Sequence, residues 1–385
     1  MPRLRRADCS SAGISRKRRG RATIYLDAQG RRVTDPDVLT RIEALVIPPA
    51  WRDVWICPYP NGHIQAIGTD AAGRRQYRYH DEWRRQRDAS KHDSVLDFAA
   101  ALPGARRVLQ EHLAEPGLTR QRVLATAVRL LDLGFFRIGS EEYAEANSTY
   151  GLATMLKEHV KVVGDEVIFD YLGKHGKQRV QSFVDPPVLS VVVALKRRRG
   201  GGPELLAYRG PTGWIDVKSA DINAYLHQEL GLEASSKSFR TWNATVLAAV
   251  GLAVSAPAAT SASASKRAVA HVVKEVARYL GNTPAVCRSS YIDPRVIELY
   301  QDGITVADEL ESLGEGVTFG APAHQGPIEA AVLAMLRDAA ARRRVTRLAV
   351  DRRRTAARRR TVDRRRRAGS RPIGTVPSRA SRKSA

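Results

Sequence analysis

Four short segments carry side chains suited to chemistry on a phosphodiester. They are Phe135-Phe136-Arg137-Ile138-Gly139-Ser140-Glu141-Glu142-Tyr143, Tyr171-Leu172-Gly173-Lys174-His175-Gly176-Lys177, Lys237-Ser238-Phe239-Arg240-Thr241-Trp242-Asn243-Ala244, and the run from Leu280 through Asn282 and Tyr291 to Pro294. A phosphodiester is a poor electrophile because its own charge repels nucleophiles. Without a metal, fixed cations must take up the charge that develops on the two non-bridging oxygens. Arginine suits this task, since its planar fork stays charged and grips phosphate through two bonds. Tyrosine offers an oxygen nucleophile, lysine a proton and asparagine a neutral amide donor. Other chemistries lack their residues. No GxxxxGK[ST] loop is present: Gly173-Lys174-His175-Gly176-Lys177 runs into Gln178. ATP use is therefore not expected. The nine histidines and the carboxylates form no HExxH or DxDxDG spacing, so neither a metal site nor any other cofactor is expected.

The elements that must position these residues read as two regions. Residues 23–90 are predicted to be a small β-rich domain. Thr23 to Leu26, Val54 to Pro58, His63 to Gly68 and Arg74 to Tyr79 are strand-like, with Pro60-Asn61-Gly62 as a hairpin turn. Tyr77 and Tyr79 alternate on one strand and so share a face. Residues 91–315 are predicted to be mainly helical. The stretch 119–133 has a threonine N-cap, apolar residues at Val123, Ala127, Leu130 and Leu131, and a Gly134 stop. Further helices are expected at 188–199, 219–230, 237–251, 265–280 and 294–301. One hairpin interrupts them, with strands Val167 to Leu172 and Arg179 to Val184. Pro103-Gly104 marks the expected domain boundary, with a hinge over 85–104. The fold class is α+β.

Charge is concentrated at the ends. The 385 residues carry a net +23. Residues 1–22 hold eight Lys/Arg and one Asp, and residues 341–385 hold eighteen Lys/Arg and two Asp, so residues 23–340 are neutral. Residues 1–22 are expected to be a disordered basic tail, and 316–385 a helix (about 325–360) that fades into an Arg-rich tail. Such tails bind polyanions without reading sequence, and salt weakens their grip. Cys9, Cys57 and Cys287 are scattered and make neither a disulfide framework nor a zinc spacing. No apolar run reaches the roughly 18 residues that span a bilayer, and the basic N-terminus lacks the apolar stretch of a signal peptide. The expectation is a nucleoid-associated protein of the cytoplasm with no membrane partner.

In their order and spacing the four segments resemble the Arg, Lys, Arg, His/Asn, Tyr set of type IB DNA topoisomerases in their poxvirus-like bacterial form. Ile47-Pro48-Pro49-Ala50-Trp51 and Gly73 to His80 resemble that family's DNA-clamping β domain, so the resemblance covers about residues 23–305. It implies a C-shaped clamp around duplex DNA, acting as a monomer without ATP. One strand is cut by Tyr291 with a 3′-phosphotyrosine intermediate, the free end swivels, and the strand is resealed, so supercoils of both signs relax. Arg137 and Arg240 would grip the non-bridging oxygens. Lys174 would protonate the departing 5′ oxygen, with Lys177 across the same turn as its alternative. Asn282 stands where many relatives have His; it keeps a donor but cannot carry charge. DNA contact is expected from Arg74, Arg75, Gln76, Tyr77 and Tyr79.

Blander readings exist for each residue. A lone tyrosine is usually a packing residue, Arg137 and Arg240 could be ion-pair residues, Asn282 could be a turn residue after Gly281, and the tyrosine stripe could cover a sheet. Two rival functions stand beside the first. A tyrosine site-specific recombinase would use nearly the same set, but such enzymes usually show His-x-x-Arg at the second arginine, where this chain has Lys237-Ser238-Phe239-Arg240. A non-enzymatic basic chromosome-organising protein would explain the tails but not the ordered residues of the neutral middle.

Overall fold

The computed structural model describes residues 4–19, 22–134, 136–310 and 325–341. The chain divides into two compact units, Met1–Asp97 and Phe98–Ala385. It is a mixed α and β fold with an N-terminal sheet and a helical region.

The first unit is built on an antiparallel sheet of β1 (Ile14–Arg19), β2 (Ala22–Leu26), β3 (Arg52–Ile56), β4 (Ile64–Thr69) and β5 (Arg75–Tyr79) in the order β2-β1-β3-β4-β5, with α1 (Pro36–Ala44) between β2 and β3. Ile14, Ile42, Val54, Ile56 and Ala66 form its core. Residues 4–19 correct the expected tail. Arg5 pairs with Asn61 and His63 through backbone bonds of 2.8 and 2.9 Å, and β1 lies between β2 and β3. Composition misleads here because Ile14 supplies the buried anchor, while Arg16 donates to the carbonyls of Ile47, Pro48 and Trp51. That arginine fastens a loop instead of repelling its neighbours.

Helix α2 (Asp81–Leu113) corrects the expected linker, since it runs through Pro103 and Gly104 without a break. A proline removes one helical N–H and usually kinks or ends a helix. Here Leu102, Ala105, Leu109 and Leu113, all buried, recur at helical spacing on the same stretch, and their packing outweighs the local penalty.

The second unit centres on α3 (Arg120–Gly134), capped by the Thr119 side chain (3.1 Å to Arg122 N). Its face of Val123, Leu124, Ala127, Val128, Leu130 and Leu131 is fully buried. Then come α4 (Glu141–Asn147), a sheet of β6 (Val160–Val163), β7 (Glu166–Gly173) and β8 (Lys177–Val184), α5 (Pro186–Arg197), the small hairpin β9 (Ala207–Arg209) and β10 (Trp214–Asp216), α6 (Ser219–Gln228), α7 (Ser236–Ser255), α8 (Ala262–Leu280), α9 (Pro284–Ser290) and α10 (Pro294–Gln301). α3 packs against α5, α6 and α7. α7 is long and apolar enough to cross a membrane by length and composition, yet most of its residues are buried within this core.

The last helix among the described residues, α11, covers 327–341. A buried polar cluster holds it in place. Glu329 accepts from Arg106 at 2.6 Å and from the Trp242 indole at 2.5 Å. Arg106 also grips Asp132 at 2.9 Å, and Asp132 lies 3.3 Å from Arg129. The remainder of the expected 316–385 segment, including the Arg-rich tail, lies outside the described residues.

Candidate active site

Arg137 stands three residues past Gly134, the end of α3. Its neighbour Phe136 is buried edge-on against Phe169 of β7, with ring centroids 5.0 Å apart, which fixes where the arginine emerges. The Leu152 N–H binds the Arg137 carbonyl at 2.8 Å, and the Ala153 N–H binds that of Ile138 at 2.7 Å. These bonds require Gly139 and Gly151 to touch. A methyl group on Gly151 would fall 2.4 Å from the Gly139 Cα, and Gly139 itself has φ +87°.

Arg240 projects from α7 and is only 3% exposed. It donates to the Leu280 carbonyl at 2.8 Å, and its guanidinium carbon lies 5.3 Å from the centre of the Tyr291 ring. Burial first, and then the charge of Arg137, push its pKa down to about 10, with Tyr291 opposing. It therefore stays charged at neutral pH.

The turn from α8 into α9 presents the other two residues. Gly281 ends α8 in the left-handed conformation, φ +65°. The Gly281 and Asn282 N–H groups bind the Arg278 and Ala277 carbonyls at 3.1 and 3.0 Å. The Asn282 side chain then points at Arg137, which donates to its Oδ1. Its Nδ2 is buried and has no partner among the described residues, so one donor is left for a ligand. Asn282 is thus a turn residue whose side chain also meets Arg137. α9 is capped by Thr283 and ends at Tyr291, whose N–H binds the Cys287 carbonyl at 3.0 Å. Two residues on, Asp293 caps α10 and pairs with Arg295 at 2.6 Å. The Asp293 N–H also donates to Thr245 Oγ1 on α7 at 3.1 Å, which ties the tyrosine turn to the helix that carries Arg240.

Arg137, Lys174, Arg240 and Tyr291 line one cleft of about 360 Å³, together with Ile138, Thr149, Tyr150, Ser236 and Lys237. Burial raises the Tyr291 phenol, but Arg240, then Arg137 and Lys237, more than offset it, and its pKa lies below the usual tyrosine value. Burial pushes the nearby Cys287 thiol up to about 11, so it stays protonated at neutral pH and does not compete as a nucleophile. Lys174 is exposed at the hairpin tip and lines this cleft. Lys177 lines a smaller neighbouring cleft, which Lys174 also borders.

Three charged or aromatic lining residues were not among the predicted site residues. Lys237, 5.7 Å from the Tyr291 ring centre, stands three residues before Arg240, a spacing that shares a helix face. Tyr150 lies in the segment after α4, which carries no periodic pattern in the sequence. Arg179 borders the smaller cleft, and the hairpin register pairs it with Tyr171.

In the first unit Arg75, Tyr77 and Tyr79 lie on the exposed face of β5. The two rings stack at 6.0 Å with 17° between their planes. Gln76 lies on the opposite face, where it binds Asp70 at 2.9 Å. Arg74 is exposed and paired with the same Asp70. The five expected DNA contacts therefore divide between a solvent-facing stripe and an Asp70-centred turn.

Residues 80–312 match the family model described as eukaryotic DNA topoisomerase I, catalytic core. Residues 23–70 match the bacterial DNA topoisomerase IB N-terminal domain. DNA topoisomerase 1B of Acanthamoeba polyphaga mimivirus is 29% identical over 297 residues, covering 75% of this chain and 88% of that protein. DNA topoisomerase 1B of vaccinia virus (strain Copenhagen) is 20% identical over 239 residues, 61% of this chain and 72% of the relative. DNA topoisomerase 1 of Daucus carota is 28% identical over 130 residues, 33% of this chain and 15% of the relative.

Proposed function

The chain belongs to the type IB DNA topoisomerase family, with that isomerase activity and DNA as its partner, and on this premise we propose that Tyr291, Arg137, Lys174, Arg240 and Asn282 carry out its strand transfer. The observation that carries the assignment is the common cleft, in which a lowered phenol faces two guanidiniums and a hairpin lysine. A tyrosine recombinase is not favoured by the family matches.

In the proposed reaction the Tyr291 oxygen attacks the scissile phosphorus in line with the 5′ oxygen and loses its proton as the bond forms. Arg137 and Arg240 hold the non-bridging oxygens from the α3 side and the α7 side. The free Asn282 amide adds a neutral donor, positioned by the bond from Arg137. The departing 5′ oxygen would leave as an alkoxide, and Lys174 supplies the proton that makes it a hydroxyl. The DNA is left joined to Tyr291 through its 3′ phosphate, and the free end rotates. Resealing reverses each step: the 5′ hydroxyl attacks, Lys174 takes the proton, and the phenol leaves. The energy of the broken bond is kept in the phosphotyrosine, so no ATP is consumed.

The proposal extends to DNA contact by Arg74, Arg75, Gln76, Tyr77 and Tyr79. It further includes a clamp in which the sheet unit and the helical unit take opposite sides of the duplex, action as a monomer, and a place at the nucleoid in the cytoplasm. Arg75, Tyr77 and Tyr79 have the stronger support, because their side chains face solvent together. The test is Tyr291→Phe in a supercoil relaxation assay with a parallel binding measurement. Relaxation should vanish while binding persists, and a variant that still relaxes plasmid refutes the nucleophile.

A further inference from the structure

Arg179 has no part in the scheme above, yet its side chain joins the two turns that hold Lys174 and Asn282. Its aliphatic stem lies on Gly173, where an added Cβ would sit 3.0 Å from Arg179 Cγ. Its guanidinium lies on Gly281, where an added Cβ would sit 2.6 Å from Nη1. Gly173 immediately precedes Lys174, and Gly281 immediately precedes Asn282. From this position Nη2 donates to the Tyr279 carbonyl at 2.6 Å and Nη1 to that of Arg278 at 3.4 Å.

These bonds complete the end of α8. A helix leaves its last four carbonyls without internal partners. Here Ala277 and Arg278 are met by the Asn282 and Gly281 N–H groups, Tyr279 by Arg179 and Leu280 by Arg240. Two guanidiniums, one from the hairpin and one from α7, thus cap the same helix end, where the helix dipole favours positive charge. The hairpin needs such a tether. β6 pairs with β7 only over Glu166–Phe169; beyond it Asp170–Gly173 and Lys177–Val180 form a two-stranded ribbon, a marginally stable unit by itself, and the Tyr150 N–H on the Leu172 carbonyl at 2.7 Å holds the β7 side while Arg179 holds the β8 side.

We propose that Arg179 is a positioning residue: it latches the hairpin to the end of α8 and thereby sets Lys174 against Asn282 and Arg240 before DNA arrives. This rests on the reading of Lys174 as proton donor. The latch has a leaving-group signature. An alkoxide needs the lysine proton, whereas a thiolate, whose thiol has a pKa of about 8.5, leaves without one.

The experiment measures single-turnover cleavage on two duplexes, one with the ordinary 5′ oxygen and one with a bridging 5′ sulfur at the scissile bond. Lys174→Ala should lose roughly 10²- to 10⁴-fold on the oxygen duplex, the usual range for a general acid, and recover on the sulfur duplex. Arg179→Ala should lose about 10- to 100-fold on oxygen, the scale of a misplaced catalytic group, recover on sulfur, and bind DNA as before. If Arg179→Ala loses equally on both duplexes, or cleaves both like the parent, the latch is overturned. If Lys174→Ala fails to recover on sulfur, the proton-donor reading falls, and the latch with it.

Discussion

Replacing Arg240 by Ala tests the electrostatics of the cleft at its most buried point. Arg240 is 3% exposed, caps Leu280 and stands over the Tyr291 ring. Three losses follow from that placement. First, one preorganised donor to the phosphate disappears, which typically slows the chemical step by about 10²- to 10³-fold. Second, Tyr291 loses the strongest of the charges that oppose its burial, with Arg137 and Lys237 remaining. The phenol then keeps its proton to higher pH, and the rising limb of cleavage against pH shifts upward. Third, the Leu280 carbonyl is left without its partner, at a cost of about 1–3 kcal/mol. At about 2–4 °C per kcal/mol for a domain of this size, the melting midpoint should fall measurably. The assay is single-turnover formation of the covalent adduct on a short duplex across a pH series, with melting recorded in parallel. Arg240→Lys should keep part of the pH effect and little of the rate, because it restores a charge but not a planar fork. Parental cleavage by a folded Arg240→Ala protein, with its pH limb unmoved, would refute this reasoning.

Further outcomes follow from the same geometry. Asn282→His should retain a donor and add a titration to cleavage near the ordinary histidine pKa of about 6.5; a pH profile identical to the parent would mean that this side chain does not face the phosphate. Tyr77→Ala and Tyr79→Ala should weaken DNA binding more than Gln76→Ala, since the tyrosines, unlike Gln76, lie on the solvent-facing side of β5; the reverse order in a binding titration would mean that the turn around Asp70 opens on DNA. Ending the chain after Ala341 removes the eighteen Lys/Arg and two Asp that follow and should preserve cleavage while lowering affinity and flattening its salt slope. Ending it before α11 should instead destabilise the catalytic unit, because Arg106 and Trp242 lose Glu329. A melting midpoint unchanged by the second truncation would contradict the role given to that cluster.

The helical region was legible where periodicity and caps agree. Thr119 and Gly134 bracket α3 as expected, and α10 begins at Pro294 behind its aspartate cap. The hairpin was legible from strand-like runs on either side of a glycine turn. β1 was not, because five of its six residues are polar or charged and the deciding contact is one buried isoleucine. α2 was not, because Pro103-Gly104 is a strong local signal and the packing that overrides it is distant in sequence. The chemistry of Arg137, Lys174, Arg240 and Tyr291 was readable from residue type and order. Their positioning was not: the glycine contact between 139 and 151, the bond from Thr245 to the tyrosine turn and the latch of Arg179 join residues from 12 to 102 positions apart. No local window contains both partners.

The central claim is a phenolic oxygen held in line with a phosphate by fixed cations. The most direct measurement is to incubate the protein with supercoiled plasmid in chelator, quench with detergent, and map any covalent adduct by peptide mass. The account predicts DNA joined through a 3′ phosphate to the peptide that contains Tyr291, formed without added metal or ATP. Relaxed plasmid with no adduct at Tyr291, or an adduct on another residue, would contradict it.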